Sequence, residues 1–312
     1  MNSFPKTPDT WQAALAALPA TPANIPAFFF GHGSPLLAMA DSDAIPRGFG
    51  ASNPQAQLAH FLRDFGPALL AKYSPKAILV VSAHWETYGE QLVSDYGDEN
   101  PLLMDYYGFP QALYELKFNS RGDSAVTQRV VQLLKEVGIS ARPSPKSEPR
   151  GEDGRGFSGP GLDHGVFVPF RLMFGEDFTD IPIVEMSLDG SLDPEKNWAL
   201  GEALVKLREE GVLILSGGLT IHNLRDRQSF SESSAQPIYK EFDKAVLEAS
   251  SVPDNAERKK ALMDLTSHKG FRIAHPRSEH FVPIHVAAGA GGQGDAKIVS
   301  AIYGATTVAF GL

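Results

Sequence analysis

The sequence contains no cysteine in its 312 residues, and this absence excludes several classes of protein. Disulfide-stabilised folds, zinc–thiolate sites, iron–sulfur clusters and a cysteine nucleophile all require a thiol. A metal ion bound by this chain would therefore have to be held by histidine, aspartate or glutamate.

The sequence also lacks long apolar runs and an excess of positive charge. Its apolar stretches are well short of the roughly 20 residues that a membrane helix needs, so we expect no membrane partner. The formal charge is −9, and no basic face is evident, which argues against a nucleic-acid partner. The N-terminal residues carry a single lysine and several prolines, unlike a secretory signal. These features predict a cytoplasmic enzyme that acts on small molecules.

The motifs of common nucleotide-binding sites and of serine hydrolases are missing too. Neither G-x-G-x-x-G nor G-x-x-x-x-G-K-[ST] occurs, so a nucleotide cofactor is not expected. The stretch Gly31-His32-Gly33-Ser34 is not the G-x-S-x-G turn of a hydrolase. What the sequence does contain is a set of histidines that follow buried strands.

Apolar stretches rich in β-branched or aromatic residues end on histidines in separate parts of the chain. Ile78–Ser82 is followed by His84, and Ile25–Phe30 is followed by His32 between two glycines. Val212–Ser216 precedes His222. Such stretches are typical of strands buried on both faces, and ligands collect at the carboxyl ends of these strands in α/β sheets. The pattern predicts one site built from several strand ends.

The remaining pattern predicts a single α/β domain with a central, mostly parallel sheet flanked by helices. Residues 1–24 are interpreted as an N-terminal extension with a short helix at Asp9–Leu18, and residues 25–312 as the catalytic domain. Further strands are expected at Gln91–Tyr96, Ile181–Ser187 and twice within Ala296–Phe310. Helices are expected at Asn53–Tyr73, Asp123–Val137, Pro194–Glu210, Gln236–Ser250, Asn255–Ser267 and around Ile284–Ala288. Residues 36–53 and Ser140–Pro160 are expected to be loops, the second a long surface excursion of the kind that can serve as a lid.

Histidines at the strand ends are suitable metal ligands. Two histidines with a further histidine or carboxylate, and open positions, suit Fe(II), Zn or Mn. His32, His84, His222 and His280 could supply such a set, with Glu279 beside His280. None of these pairs has the i, i+4 spacing of a helical zinc motif, so the spacing alone leaves the ligand set open.

Five motifs, in order along residues 25–310, resemble a known family. They are FFFGHGSP, VVSAHWET, GLDHGVFVP, SGGLTIHNLR and HPRSEHFVPIHVAAGA. Together they are similar to the DOPA 4,5-dioxygenase family, within the class III extradiol ring-cleavage dioxygenases that include protocatechuate 4,5-dioxygenase β subunits. The resemblance implies an enzyme that inserts O2 into a catechol such as DOPA, and a metal site at the carboxyl ends of the strands.

The resemblance also implies a role for each histidine. The metal would be held by His32, His84 and His280, and His222 would be the catalytic acid and base or a further metal ligand. His164 would contact substrate or oxygen. In the wider superfamily the third ligand is a glutamate, which makes Glu279 the alternative to His280. Non-haem Fe(II) is expected for activity, and Zn(II) can occupy such a site.

Other interpretations of the same residues remain open at this point. The histidines could serve a zinc-dependent hydrolase, or the fold could belong to a binding protein without catalysis. Tyrosines of the loop Asp105–Pro110 could line an aromatic pocket or act as packing anchors. Recognition of a substrate amine and carboxylate could use charged residues near the motifs, namely Arg150, Arg155, Asp163 and Arg225. A monomer or a small homo-oligomer is expected, and His60, His268, His275 and His285 are interpreted as structural or solvent-facing.

Overall fold

Strands and helices alternate along most of the chain in the computed structural model, which describes residues 4–20, 24–39, 54–151 and 156–312. The strands are β1 (Ala27–Gly31), β2 (Ala77–Thr87), β3 (Gln91–Asp95), β4 (Asn119–Ser120), β5 (Ala141–Pro145), β6 (Asp177–Phe178), β7 (Ile183–Asp189), β8 (Val212–Gly218), β9 (Ala296–Ser300) and β10 (Thr307–Phe310). The helices are α1 (Pro8–Ala16), α2 (Pro54–Tyr73), α3 (Ser124–Glu136), α4 (His164–Phe174), α5 (Pro194–Ala203), α6 (Val205–Glu209), α7 (Pro237–Ser250), α8 (Asn255–Asp264), α9 (Phe271–Ala274) and α10 (Pro283–Ala290).

The main sheet has eight strands in the order β5-β3-β7-β2-β8-β1-β10-β9. Its centre is parallel, because β8 pairs in parallel with β1 and β2, and β2 pairs in parallel with β7. Antiparallel pairs join β3 to β7, β10 to β1, and β9 to β10. The carboxyl ends of β1, β8 and β2 are therefore neighbours at one edge. This arrangement confirms the predicted α/β fold with a mostly parallel sheet.

Both faces of the sheet are covered by helices, as the apolar strands require. Successive side chains of a strand point to opposite faces. Ile78 and Val80 of β2 belong to the hydrophobic core that contains residues of α2 and α4. Leu79 and Val81 belong to the opposite core, with residues of α3, α5 and α10. Burial on both faces explains why these strands are continuous apolar runs rather than alternating ones.

The predicted strand Ile78–Ser82 is too short, because β2 continues through His84 to Thr87. Its pairing with β7 is regular from Ile78 to Val81, becomes irregular, and resumes at Glu86 and Thr87. Such an irregularity redirects side chains beside a sheet edge. His84 thus lies inside a buried strand and not in a loop after it.

Two other predictions differ from the structure for identifiable reasons. The predicted loop Ser140–Pro160 begins with β5, which pairs with β3 at the edge of the sheet, where the prolines of the strand are tolerated. The predicted helix Pro194–Glu210 is two helices, because the amide of Leu204 bonds the carbonyl of Gly201 and interrupts the α-helical pattern.

The other predicted elements differ from the structure mainly at their ends. Residues Pro35–Met39 form a 3-10 turn, and the rest of the predicted loop 36–53, with the predicted start of a helix at Asn53, lies outside the described residues.

The N-terminal helix α1 packs on α2. Trp11 is fully buried, and its indole N–H donates to Asp64 over 2.8 Å. Lys72 of α2 donates to the carbonyls of Ala16 and Leu18. The division of the chain at residue 25 stays a prediction. Within the described residues, none of the helices has the length and apolar character needed to cross a membrane.

Candidate metal centre

His32, His84 and His280 meet at the carboxyl edge of the parallel strands. His32 directly follows β1, and His84 lies near the end of β2. His280 precedes α10, and its carbonyl accepts a hydrogen bond of 2.9 Å from Leu219, just after β8. Each imidazole offers one ring nitrogen, and these nitrogens all lie within 4.8 Å of one another. All three side chains are buried.

The surroundings of His32 fit a metal ligand. Both of its ring nitrogens are buried, and neither has a hydrogen-bond partner. Burial, and then the nearby His164, lowers the pKa of His32 to about 3, which keeps its nitrogen lone pair available. A buried polar atom without a partner is costly, and a bound cation would satisfy it. Three imidazoles are a donor set suited to Fe(II) or Zn(II), so these residues fit the expected metal.

The first turn of α4 lies directly against His84. A Cβ atom on Gly165 would come within 2.8 Å of Cδ2 of His84 and 3.0 Å of a carboxylate oxygen of Asp163. Only a residue without a side chain lets the helix approach the histidine this closely. The glycine after His164 in the motif is therefore a packing requirement of the site.

Asp105 is a residue of this site that the sequence did not reveal. Its side chain is fully buried, with one oxygen 2.7 Å from Nδ1 of His164 and the other 3.3 Å from Nδ1 of His84. The ring centres of His164 and His84 are 4.1 Å apart. The sequence drew attention to the tyrosines of this loop, whereas a buried aspartate looks like any solvated loop residue until its partners are known.

Glu279 makes a matching pair of contacts with two other histidines of the cluster. One of its oxygens lies 2.9 Å from Nδ1 of His280 and 3.4 Å from Nδ1 of His222. Burial alone would raise the pKa of Glu279, but its interactions with His222 and His280 lower it well below its usual range. The imidazoles of His222 and His280 stack with 3.5 Å between their centres. The structure thus brings together all the histidines that were predicted as site residues.

Comparison with known proteins identifies the family. Residues 26–311 match the family described as the catalytic LigB subunit of aromatic ring-opening dioxygenase. The chain belongs to the LigB family. A 4,5-DOPA dioxygenase extradiol-like protein of Schizosaccharomyces pombe is 41% identical over 97% of this chain and 97% of its own length. The 4,5-DOPA dioxygenase extradiol of Beta vulgaris is 33% identical over 85% of this chain and 87% of its own.

A solved structure agrees with the fold of this LigB-family chain. The crystal structure of the uncharacterized protein JW3007 from Escherichia coli K12 superimposes with a TM-score of 0.63, and it is 24% identical. The match covers 92% of this chain and 99% of that one. The family and the curated relatives confirm the predicted enzyme class, an extradiol ring-cleaving dioxygenase.

Two of the charged residues proposed for the rim are in fact buried behind the site. The Arg150 guanidinium donates to Asp163 over 2.7 Å, to Glu185 over 2.8 Å and to the carbonyl of His84 over 3.2 Å. Burial lowers the pKa of Arg150, but Glu185 and Asp163 raise it more, so the guanidinium stays charged. Arg150 and Asp163 therefore cannot contact substrate at a rim. Arg225 is exposed, and Arg155 lies outside the described residues.

The aromatic loop contributes packing to this LigB-family site. Tyr106 is buried, its ring lies edge-on to His164, and its hydroxyl donates to the carbonyl of Leu113. Tyr107 is exposed and stacks on Phe157 with 6.4 Å between ring centres. The packing interpretation therefore holds for Tyr106, whereas Tyr107 is exposed and does not pack in the core.

The remaining histidines lie outside the cluster. His60 is exposed and touches Trp11 edge-on, and Nδ1 of His268 accepts from the amide of Gly270. Nε2 of His275 is 2.9 Å from the carbonyl of Thr220, and His285 is buried beside Phe281. Their contacts agree with the structural or solvent-facing roles expected from the sequence.

Proposed function

We propose that this LigB-family protein cleaves the ring of a catechol of the DOPA type, using a metal held by His32, His84 and His280. The observation that carries the proposal is the convergence of these three buried imidazoles, each with a ring nitrogen directed into one cluster. The names of the curated relatives point to DOPA as the first substrate to test. The native metal proposed is Fe(II).

His280, rather than Glu279, is proposed as the third ligand. The carboxylate of Glu279 lies against Nδ1 of His280 at 2.9 Å, which leaves Nε2 of the imidazole for a metal. The other oxygen of Glu279 is 3.6 Å from the guanidinium of Arg277, so its negative charge already faces a cation of the protein. When bound, Fe(II) would supply open positions for catechol oxygens and dioxygen and a path for electrons between them.

His222 is proposed to move the protons of the reaction. It is partly exposed beside the cluster, and Glu279 faces its Nδ1 over 3.4 Å, so Nε2 is available to take the proton of a catechol hydroxyl. The same nitrogen can return a proton later in the reaction. A histidine suits both steps because its ordinary pKa is near neutrality.

His164 is proposed to face substrate or oxygen. Its Nδ1 makes a 2.7 Å hydrogen bond with Asp105, and its ring centre is 6.2 Å from the ring centre of His32. His164 and His222 would therefore act from beside different metal ligands, His84 and His280 respectively. A cytoplasmic location and a monomer or small homo-oligomer stay predictions from the sequence.

The decisive experiment uses metal-stripped protein reloaded with Fe(II) under anaerobic conditions and then exposed to air with catechols. The absorbance of a yellow semialdehyde and the uptake of oxygen are followed together. Zinc-loaded protein is the matched control. Oxygen uptake in proportion to product, seen with iron and absent with zinc, is the expected result.

The choice of catechols tests recognition of the amino-acid part of DOPA. DOPA, dopamine and 3,4-dihydroxyphenylpropionate share the ring and differ in the carboxylate or the amine. A preference for DOPA in kcat/KM would support the proposed substrate class. Full iron occupancy without oxygen uptake from any catechol would overturn the proposal.

A further inference from the structure

Two carboxylates divide the histidines of the centre into pairs. Asp105 contacts Nδ1 of His84 and Nδ1 of His164, and Glu279 contacts Nδ1 of His280 and Nδ1 of His222. Each pair joins one proposed metal ligand to one histidine with another proposed role, namely His164, which would face substrate or oxygen, or His222, which would move protons. Within the part of the chain that the structure describes, His32 is the one proposed ligand that contacts neither Asp105 nor Glu279.

A carboxylate beside Nδ1 determines which tautomer a neutral imidazole adopts. A carboxylate accepts hydrogen bonds and does not donate them, so the ring nitrogen facing it must carry the proton. The lone pair is then on Nε2, the nitrogen on the other side of the ring. Partners of this kind orient metal-binding histidines and raise their basicity.

We propose that Asp105 is a positioning residue, which fixes the Nδ1–H tautomers of both His84 and His164. One carboxylate would thereby direct Nε2 of His84 toward the metal and Nε2 of His164 toward the substrate. The inference rests on the proposed function for the roles of His84 as a metal ligand and His164 as a substrate contact. The tautomers of the two rings do not depend on the proposed function. Asp105 suits the role because it is fully buried and its two oxygens lie 2.7 Å from Nδ1 of His164 and 3.3 Å from Nδ1 of His84.

The distances distinguish this role from a second metal site. His84, Asp105 and His164 are close enough to be considered as ligands of another ion. Ligand atoms each about 2.1 Å from one ion are separated by about 3 Å or more. The oxygen of Asp105 lies 2.7 Å from Nδ1 of His164, which is the distance of a hydrogen bond. The pair is therefore bonded directly.

The same oxygen of Asp105 also accepts a 2.9 Å hydrogen bond from the backbone amide of His164, at the start of α4. A test must separate this structural bond from control of the tautomers. Asp105→Asn keeps the size of the side chain and an oxygen for the amide, but its NH2 group would face one imidazole as a donor. That imidazole would then have to present a lone pair at Nδ1 and carry its proton on Nε2.

Tyr106→Phe is the matched control. Tyr106 belongs to the same loop, and its hydroxyl anchors that loop to Leu113 without bonding a histidine nitrogen. If Asp105 acted only by holding the loop, the two substitutions would have similar effects on the histidines. If it determines the tautomers, only Asp105→Asn changes them.

The experiment is a long-range 1H–15N correlation spectrum of metal-free protein labelled with 15N-histidine, which reports the tautomer of each ring. Spectra of His84→Gln and His164→Gln assign the two signals. Wild-type protein and Tyr106→Phe are expected to show Nδ1–H for both rings, and Asp105→Asn to show Nε2–H for at least one. Chelator competition is expected to show that Asp105→Asn binds Zn(II) about 10–100-fold more weakly than wild type, the usual effect of removing a carboxylate that holds a metal-binding histidine.

Several outcomes would overturn the inference. An Nε2–H tautomer of His164 or His84 in the wild-type protein would do so, even if Asp105→Asn failed to fold. So would unchanged tautomers and affinity in folded Asp105→Asn, or binding of a second Zn(II) per chain that this substitution abolishes. Because the spectra use metal-free protein without substrate, these results are distinguishable from a failure of ring cleavage.

Discussion

The imidazole of His32 differs from those of His275 and His285 although all three are fully or almost fully buried. His275 and His285 each direct one ring nitrogen to a backbone carbonyl, at 2.9 Å and 3.4 Å. Neither nitrogen of His32 has a hydrogen-bond partner. A buried imidazole without hydrogen bonds lowers the stability of the protein unless a ligand binds it. The missing hydrogen-bond partners of His32 therefore indicate function more strongly than its burial does.

Replacing His32 by leucine tests this difference. We expect His32→Leu to abolish metal binding while the free energy of unfolding of metal-free protein stays the same or rises, because no hydrogen bond is lost. His275→Leu is the control, and it should lower that free energy by about 1–3 kcal/mol, because it leaves the carbonyl of Thr220 buried without its partner. Denaturant unfolding and chelator competition measure the two effects. A larger loss of stability for His32→Leu than for His275→Leu would contradict the assignment.

Replacing His222 tests its proposed task as the group that moves protons. We expect His222→Ala to lower kcat by about 10²–10⁴-fold, the range for general acid–base catalysis, with metal affinity within a few-fold of wild type. His60→Ala, at an exposed position away from the cluster, is the control. Steady-state kinetics with the best catechol and chelator competition provide the measurements. Wild-type turnover, or a loss of metal that accounts for all the loss of rate, would show that His222 has another role.

At the scale of elements, one buried arginine joins the start of α4 to β7. Arg150 bonds Asp163 and Glu185, both fully buried, and its guanidinium lies 4.9 Å from the centre of the Trp85 ring. It also donates to the backbone carbonyl of His84. Arg150, which belongs to the stretch that was expected to be a surface excursion, is thus attached to the backbone of β2.

Arg142 of β5 offers a comparison nearby, because it pairs with Glu90 and Glu148 while its side chain is 42% exposed. We expect Arg150→Met to lower the free energy of unfolding by about 3–5 kcal/mol, because it leaves buried carboxylates without a cation. Arg142→Met should lower it by less than about 1 kcal/mol, since solvent screens an exposed pair. Denaturant unfolding of both variants measures the difference.

A double substitution identifies the cause of the loss. Burial raises the pKa of Glu185 well above its ordinary value despite the nearby Arg150, and the neighbouring Asp163 raises it further. Arg150→Met combined with Glu185→Gln should be less destabilised than Arg150→Met alone, because one uncompensated acidic group is removed. Equal losses for Arg150→Met and Arg142→Met would show that the buried pairing contributes little.

At the scale of the whole molecule, burial keeps several histidines neutral in the folded state. Burial lowers the pKa of His275 to about 3 and that of His285 to about 4, with partial opposition from their backbone hydrogen bonds. In the unfolded chain a histidine has a pKa of about 6.5. Between these values the unfolded chain binds protons that the folded protein does not. The stability contributed by neutral burial is therefore complete above the unfolded pKa and is lost as the pH falls.

We expect metal-free protein to lose stability as the pH is lowered from 6 to 4, by about 1.4 kcal/mol per pH unit for each such histidine. Denaturant unfolding over a series of pH values measures the slope. His285→Leu should reduce that slope by the equivalent of one proton, whatever its effect on stability at pH 8. A slope unchanged by this substitution, or stability that rises as the pH falls, would contradict the expectation.

The sequence by itself determined the class of the fold and the order of its chemical groups. Apolar runs such as Ile78–Val81 predict strands buried on both faces, because local composition reports burial. The absence of cysteine restricts a metal to nitrogen and oxygen ligands, and the ordered histidine motifs indicate the family. These properties are readable along the chain because each depends on neighbouring residues.

Tertiary structure alone decided which polar groups meet. Asp105 precedes His164 by 59 residues, and Arg150 reaches Glu185 across 35, so no local pattern connects them. The local sequence around a buried aspartate or arginine does not differ from that around an exposed one. Only the packing of β2, β7 and α4 removes these side chains from water. The continuation of β2 through His84 likewise depends on pairing with β7. Contacts between distant segments, and the burial they produce, give these side chains their surroundings.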